Sequence, residues 1–263
     1  MTNQKIGICR WCIPTKGAKS IEQASLMGYK GVVLDLGNEG NNYQMSIASI
    51  QNEYIQASKQ YDVQFTTLAA NTFCDNTVCK PNKNDIWIDK TDDLLVQTAV
   101  DLNIKLLQIP SFVNSFIENE VELNNTVNHL KKLCEKASQV GITVATENAL
   151  NKVNAVKLVE MVEKDNLKII FDTANPMWLA GGLNAPEILK ETLPYICEVH
   201  LKDVAYDQKT KDYQFVPIGT GEVELKKSFD ILKQFGFNGW LQNENSYSIN
   251  NLKADCEIIS GLI

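Results

Sequence analysis

The sequence predicts a single α/β domain, a (β/α)8 TIM barrel with its active site at the C-terminal ends of the strands, and three observations predict it. Short apolar, β-branched runs alternate with amphipathic stretches eight times along the 263 residues. No long linker or break in composition divides them, so residues 1–263 read as one domain. Several of the runs end in a polar or ionisable residue. A barrel of this kind needs about 250 residues, and its strands, covered on both faces, read as continuous apolar runs. An open doubly wound sheet gives the same alternation. The count of eight, the length and the polar strand ends favour closure.

Residues 5–14 read as strand one, with Arg10 and Trp11 near its end. Ser20 caps a helix that stops at Gly28. Strand two covers 31–37, a helix 46–61 and strand three 63–70. Residues 71–90 form an irregular stretch rich in Asn and Asp, and loops this long in compact domains often serve as lids or binding loops. A helix over 91–102 leads to strand four at 105–110, with Ser111 and Phe112 at its exit. A long helix over 121–140 stops at Gly141, and strand five, within 141–150, carries Glu147 and Asn148. A helix over 155–164 precedes strand six, 167–171, which runs into Asp172. Pro186 opens the next helix, a good first-turn residue. Strand seven, 196–201, holds His200. A second excursion, 203–222, ends in Gly219-Thr220-Gly221-Glu222. A helix over 224–235, strand eight at 239–243 running into Glu244, and a final helix complete the chain.

Composition narrows the partners. The chain is 44% hydrophobic and 22% charged, which is ordinary for a soluble globular protein. Its formal charge is -7 and Arg10 is its one arginine. A nucleic-acid binder needs a basic face, so nucleic acid is not expected as a partner, and a highly anionic substrate is disfavoured. The seven cysteines are odd in number and scattered, several of them in apolar runs, which reads as reduced thiols in a reducing compartment. Cys9 and Cys12 form a C-x-x-C with no second pair at zinc-ribbon spacing, inside predicted strand one. The polar N-terminus lacks a signal-peptide pattern and no apolar run reaches the length of a membrane span, so a cytoplasmic protein without a membrane partner is expected.

Glu147, Asp172, His200 and Glu244 end predicted strands five, six, seven and eight. Any one acid at a strand exit is more often a helix cap, a solvated charge or half of an ion pair. Four on consecutive strands, which are neighbours in a barrel, converge on one mouth and favour a shared metal site. Three carboxylates and one imidazole make a hard, oxygen-rich set suited to Mn²⁺, Mg²⁺ or Co²⁺. A divalent ion there can bind two adjacent sugar oxygens and polarise a carbonyl, with a glutamate on each side to exchange a proton with carbon. His129, mid-helix in Asn-His-Leu-Lys-Lys, is expected at the surface.

Thr146-Glu147-Asn148, Phe171-Asp172-Thr173-Ala174-Asn175, Glu198-Val199-His200-Leu201-Lys202-Asp203, Gly219-Thr220-Gly221-Glu222 and the terminal Glu244 occur in the order seen in the xylose-isomerase-like barrel superfamily. The chain resembles this group over nearly its whole length. The group holds sugar and sugar-phosphate isomerases and epimerases, and AP endonuclease family 2-type domains. Cys9-Arg10-Trp11-Cys12-Ile13-Pro14 looks like the group's first strand. The resemblance implies one divalent metal ion, Mn²⁺ first with Mg²⁺, Co²⁺ or Zn²⁺ as alternatives, held by Glu147, Asp172, His200 and Glu244. It implies Glu147 and Glu244 as the catalytic acid/base pair. The mechanism implied is proton abstraction next to a carbonyl, a cis-enediolate held by the metal, and reprotonation. Relatives are often dimers or tetramers, so a homo-oligomer is possible.

Two positions depart from the epimerases of the group. Asn175 stands where many carry a histidine, and Tyr206 where they carry an arginine. Arg10, Lys202 or Asn175 are the candidate replacement donors to a small sugar or polyol-like substrate, Arg10 first, with Asn148 and Trp11 beside them. Trp11, Phe112 and Trp178 are candidates for an apolar wall, although core or rim packing is the commoner fate of an aromatic. Gly219-Thr220-Gly221 before a helix is a weak phosphate-cradle motif and reads as a family turn. Competing readings are an inosose-type dehydratase, with Lys202 as its general acid, and a non-catalytic sugar-binding barrel. Two histidines and a charge of -7 argue firmly against a third reading, a DNA-repair nuclease of the AP endonuclease kind.

Overall fold

The computed structural model describes residues 5–246 and 249–262; the first four residues, read above for a leader, lie outside this range. Eight parallel strands close into a barrel in the order β1-β2-β3-β4-β5-β6-β7-β10. They are β1 (Lys5–Cys9), β2 (Gly31–Asp35), β3 (Gln64–Ala69), β4 (Leu106–Pro110), β5 (Thr143–Glu147), β6 (Leu167–Asp172), β7 (Ile196–Leu201) and β10 (Trp240–Asn243). The helices between them are α1 (Lys19–Leu26), α2 (Ala48–Tyr61), α3 (Thr72–Asp75), α4 (Asp85–Asp101), α5 (Glu120–Ser138), α6 (Lys152–Val162), α7 (Asn175–Trp178), α8 (Ala185–Thr192), α9 (Leu225–Phe235) and α10 (Ile249–Leu262). The apolar strands and the inner faces of the helices share one core. Among the described residues, no helix is long and apolar enough to cross a membrane.

Four expectations are corrected. Strand one stops at Cys9, and Arg10–Cys12 form a turn of 3-10 helix, so the C-x-x-C lies at a strand exit rather than inside a strand. The irregular stretch after strand three is shorter than expected. Helix α4 starts at Asp85 because the Asn84 side chain accepts from the Trp87 N–H, an N-cap. The stretch is also fastened: the Lys80 ammonium reaches Glu122 at 2.8 Å, Glu118 at 3.2 Å and the Phe116 carbonyl at 3.2 Å. The excursion after strand seven contains an antiparallel hairpin, β8 (Val204–Asp207) with β9 (Asp212–Phe215). His129 is buried, not on the surface, and its Nε2 lies 3.0 and 3.1 Å from the two carboxylate oxygens of buried Asp92. It follows Thr126 by three residues and precedes Leu133 by four, both of them buried on α5, so helical spacing puts it on the inner face.

The lumen is polar and asymmetric. Two glycines make room for long side chains from β10: a Cβ on Gly7 would sit 2.1 Å from Gln242 Oε1, and one on Gly31 would sit 2.5 Å from the Trp240 ring. Register irregularities place one extra residue, Thr66, in β3 opposite β2, and one, Cys197, in β7 opposite β6. The first turns the hydroxyls of both Thr66 and Thr67 inward, toward Gln242 and Glu198. The second levels His200 with Asp172 on the neighbouring strand. Gly7→Ala is expected to cost about 1–3 kcal/mol, the range for overpacking a filled interior. Denaturant midpoints measure it, and an unchanged midpoint would show that Gln242 yields freely.

Candidate metal and active site

The four strand-end residues meet as expected. Glu147, Asp172, His200 and Glu244 each bring one ligand atom to a cluster in which all four lie within 4.8 Å of one another. The His200 ring bridges two layers. Its Nδ1 faces the mouth, 2.9 Å from Glu244 Oε2 and 3.5 Å from Glu147 Oε1. Its Nε2 faces down the lumen, 3.3 Å from Glu198 Oε1. Glu198 is fully buried and also accepts from Thr67 Oγ1 at 2.9 and 3.0 Å and from Gln242 Nε2 at 2.8 Å. Thr67 is on the opposite side of the barrel, so this carboxylate spans the lumen beneath the cluster.

Each carboxylate is aimed by neighbours. Gln108 Nε2 donates to Glu147 Oε2 at 2.5 Å, and Asn175 Nδ2 donates to Glu147 Oε1 at 3.3 Å. The N–H groups of Ala174 and Asn175 donate to Asp172 Oδ1 at 2.8 and 2.7 Å. Trp11 Nε1 donates to Glu244 Oε1 at 3.0 Å. The Lys202 ammonium lies 3.0 Å from Asp172 Oδ2 and 2.9 Å from Glu244 Oε2. Its approach to Asp172 is an ion pair without hydrogen-bond geometry, so among the described residues the buried Oδ2 accepts no hydrogen bond. A buried carboxylate oxygen with uncommitted lone pairs, beside two more carboxylates and an imidazole nitrogen, fits a hard divalent ion.

Burial and charge work against each other here. Burial pushes the Glu147 and Asp172 carboxyls up, more than the cations beside them, His200 first for Glu147 and Lys202 first for Asp172, bring them down. At Glu244 burial also pushes up, but Lys202 and His200 together outweigh it and hold the carboxyl well below the usual range. Burial lowers the His200 imidazole, and Glu147 and Glu244 overcome that and hold it protonated. Lys202 and His200 are the two cationic groups that face the carboxylates of the cluster.

Asp35, at the end of β2, is a further acid, half-buried. Burial raises its carboxyl from 3.8 to about 6, although the Asn71 and Gly37 N–H groups pull the other way. A folded value above the unfolded one means that ionisation costs stability; the cost is absent below about pH 4 and full above about pH 6. Asp35→Asn removes the charge but keeps an acceptor oxygen for only one of the two N–H groups and sets its NH₂ against the other. That lost contact costs about the same at either pH, so the variant is expected to compare with wild type more favourably at pH 8 than at pH 4, by on the order of 1–3 kcal/mol. Melting curves at the two pH values check this, and a difference from wild type that is equal at both refutes it.

The substrate-binding candidates divide. Trp11, Asn175 and Lys202 join the cluster: buried Asn175 stands between Glu147 and Lys202, whose Nζ lies 3.4 Å from its Oδ1. Arg10 does not join them. Its hydrogen bonds run to the Tyr54 hydroxyl on α2 and to the Ile13 carbonyl. Asn148 follows Glu147 by one residue and so leaves the strand on the other face; its side chain bonds to Thr146 Oγ1 and the Leu150 N–H. Trp178 packs edge-on against Phe215 of the hairpin, and Phe112 against Phe116. Tyr206 is exposed and packs on Tyr213. The Gly219-Thr220-Gly221 turn is no free cradle: buried Asp203 takes the N–H groups of Gly219 at 2.8 Å and Gly221 at 2.9 Å. A Cβ on Gly221 would sit 2.2 Å from Asp203 Oδ1, which is why glycine stands there.

Comparison with known proteins agrees with this architecture. The chain is 27% identical over 237 residues to a 2-epi-5-epi-valiolone 7-phosphate 2-epimerase of Actinoplanes sp., covering 87% of this chain and 82% of the relative. It is 23% identical to an inosose dehydratase of Clostridium botulinum, covering 91% and 89% of the two chains. Among solved structures, a xylose isomerase domain protein from Planctomyces limnophilus superposes with a TM-score of 0.81 at 16% identity, over 100% of this chain and 98% of that one. The family described as xylose isomerase-like TIM barrel matches residues 21–258, and the chain belongs to that family.

Proposed function

We propose that the protein is a divalent-metal-dependent sugar isomerase or epimerase acting on a small, polyol-like, unphosphorylated substrate. The observation that carries this reading is the four-residue cluster at the barrel mouth, with Glu147 and Glu244 on its two flanking strands. A bound divalent ion of the Mn²⁺, Mg²⁺ or Co²⁺ class supplies Lewis acidity at the substrate's carbonyl. The chain's own residues supply the proton transfer. Burial makes Glu147 a stronger base than a solvated carboxylate, and Gln108 and Asn175 fix its direction, so it suits removal of a proton beside a carbonyl. Glu244, fixed by Trp11, faces the same space from β10 and returns or removes the proton on the other side. Lys202 and Asn175 are the donors available to substrate oxygens. Commitment of the Gly219 and Gly221 N–H groups to Asp203 argues against a phosphate at that turn.

A second reading is an inosose-type dehydratase, favoured by the position of Lys202. Its ammonium, 2.9 Å from Glu244, can protonate a departing β-hydroxyl after the same proton removal. Metal-loaded protein incubated in D2O with ketoses, inososes and hydroxypyruvate separates the readings. Deuterium on carbon in recovered substrate or an isomer supports the first. Loss of water to an unsaturated product supports the second. No deuterium uptake and no product across the panel overturns both, leaving a barrel that binds sugar without converting it. The seven free cysteines agree with a cytoplasmic setting.

A further inference from the structure

The same mouth offers sulfur as well as oxygen. Cys9 ends β1, two residues beyond the lumen-facing Gly7, and is fully buried. Its thiol, the His200 imidazole and the Glu244 carboxylate each bring one donor atom within 4.8 Å of the others. Cys12 and Cys74 stand near the same charges. Burial first, then Glu244, raises the Cys12 thiol, and burial first, then Glu147, raises the Cys74 thiol to about 12. All three are free, and the proposed reaction uses none of them.

We infer that Cys9, His200 and Glu244 form a second ligand set, which binds a thiophilic divalent ion of the Zn²⁺ or Cd²⁺ class where the four-residue oxygen set would bind a hard one. The inference rests on reading the mouth as a metal centre. Two donor atoms on one ion lie at most two bond lengths apart, about 4.4 Å for a zinc–sulfur and a zinc–oxygen bond. A spread of up to 4.8 Å closes to that by side-chain rotation. Thiolate, imidazole and carboxylate together suit borderline-soft ions, whereas carboxylates with one imidazole suit Mn²⁺ and Mg²⁺.

Lys202 separates the two sets. Both sets use Glu244, 2.9 Å from the Lys202 ammonium, but only the oxygen set also needs that ammonium to withdraw from Asp172 Oδ2, 3.0 Å away. The sulfur set leaves that ion pair in place. Binding exchanges the Cys9 S–H bond for a sulfur–metal bond and an N–H bond of the protonated His200 ring for a nitrogen–metal bond, and releases two protons to the buffer, with no change of oxidation state. Because both sets use His200 and Glu244, the two classes of ion exclude each other.

The test titrates metal-free protein with Cd²⁺, following the ultraviolet thiolate-to-cadmium charge-transfer band, and with Mn²⁺, following the melting temperature. Wild type is expected to show the band saturating at one equivalent, and stoichiometric Cd²⁺ is expected to displace Mn²⁺. Cys9→Ser is expected to lose the band and to bind Cd²⁺ about tenfold or more weakly, while keeping its Mn²⁺-induced rise in melting temperature. Cys9→Ala serves the same purpose if the serine folds poorly in its apolar surroundings. Cys12→Ser and Cys74→Ser are expected to keep the band. A band that survives both Cys9 variants, or Cd²⁺ that displaces Mn²⁺ without a band, overturns the sulfur set and leaves the oxygen centre standing. If neither ion raises the melting temperature of wild type, the metal centre fails and the inference with it.

Discussion

Glu244→Gln is expected to purify with little or no divalent metal where the wild-type chain carries about one ion, and to lose about 10²–10⁴-fold in turnover. The substitution preserves shape. A glutamine oxygen can still accept from Trp11 Nε1, now 3.0 Å from Glu244 Oε1, so the side chain keeps its place. What it loses is the charge facing His200 Nδ1 and the Lys202 ammonium, both 2.9 Å from Oε2. Two buried cations then share fewer counter-charges, so the metal-free variant is also expected to melt below wild type. Metal analysis of protein purified without chelator, with turnover on whichever substrate exchanges deuterium, checks both effects. A variant that keeps its metal and its turnover removes Glu244 from the site.

The upper layer of this mouth was legible because strands end where their apolar runs end. Glu147, Asp172, His200 and Glu244 all follow such runs, and closure of the barrel brings them together. The layer beneath was less legible. Glu198 and Gln242 each precede a strand-end ligand by two residues, a same-face spacing that could have flagged them. Their partners Thr66 and Thr67 are adjacent in sequence and yet both face the lumen, which strict alternation forbids and the extra residue in β3 permits. Arg10 and Asn148 show the reverse error. Both sit one residue past a lumen-facing position, and that single step turned them to Tyr54 and Thr146. His129 was misplaced because its lysine neighbours suggested a solvated face, while helical spacing to Thr126 and Leu133 decided the matter. Asp203 was read as the end of a motif and the start of an excursion, without its role, since four N–H groups converging on one carboxylate depend on a turn that has no sequence period.

Glu198→Gln is expected to weaken metal binding about 10–100-fold without touching the ion, the range found when the partner of a ligating histidine is lost. A histidine offers one lone pair to a metal, and the bond made by its other nitrogen decides which. Here Nδ1 faces Glu244 and Glu147 and Nε2 faces Glu198 at 3.3 Å, so a proton held on Nε2 by Glu198 leaves the Nδ1 lone pair for the ion. Glu198 already accepts from Thr67 and Gln242, and the His200 Nε2–H is its third donor. A glutamine brings an NH₂ of its own against the Gln242 NH₂ or against His200 Nε2, and one of these contacts must break. Calorimetric titration with Mn²⁺ measures the loss of affinity, and ¹⁵N shifts of the His200 ring in Mg²⁺-loaded protein report which nitrogen carries the proton. A purely structural role for Glu198 would lower the melting temperature of the metal-free protein while leaving both the ring tautomer and the Mn²⁺ affinity within about twofold of wild type, and that pattern would refute the positioning role.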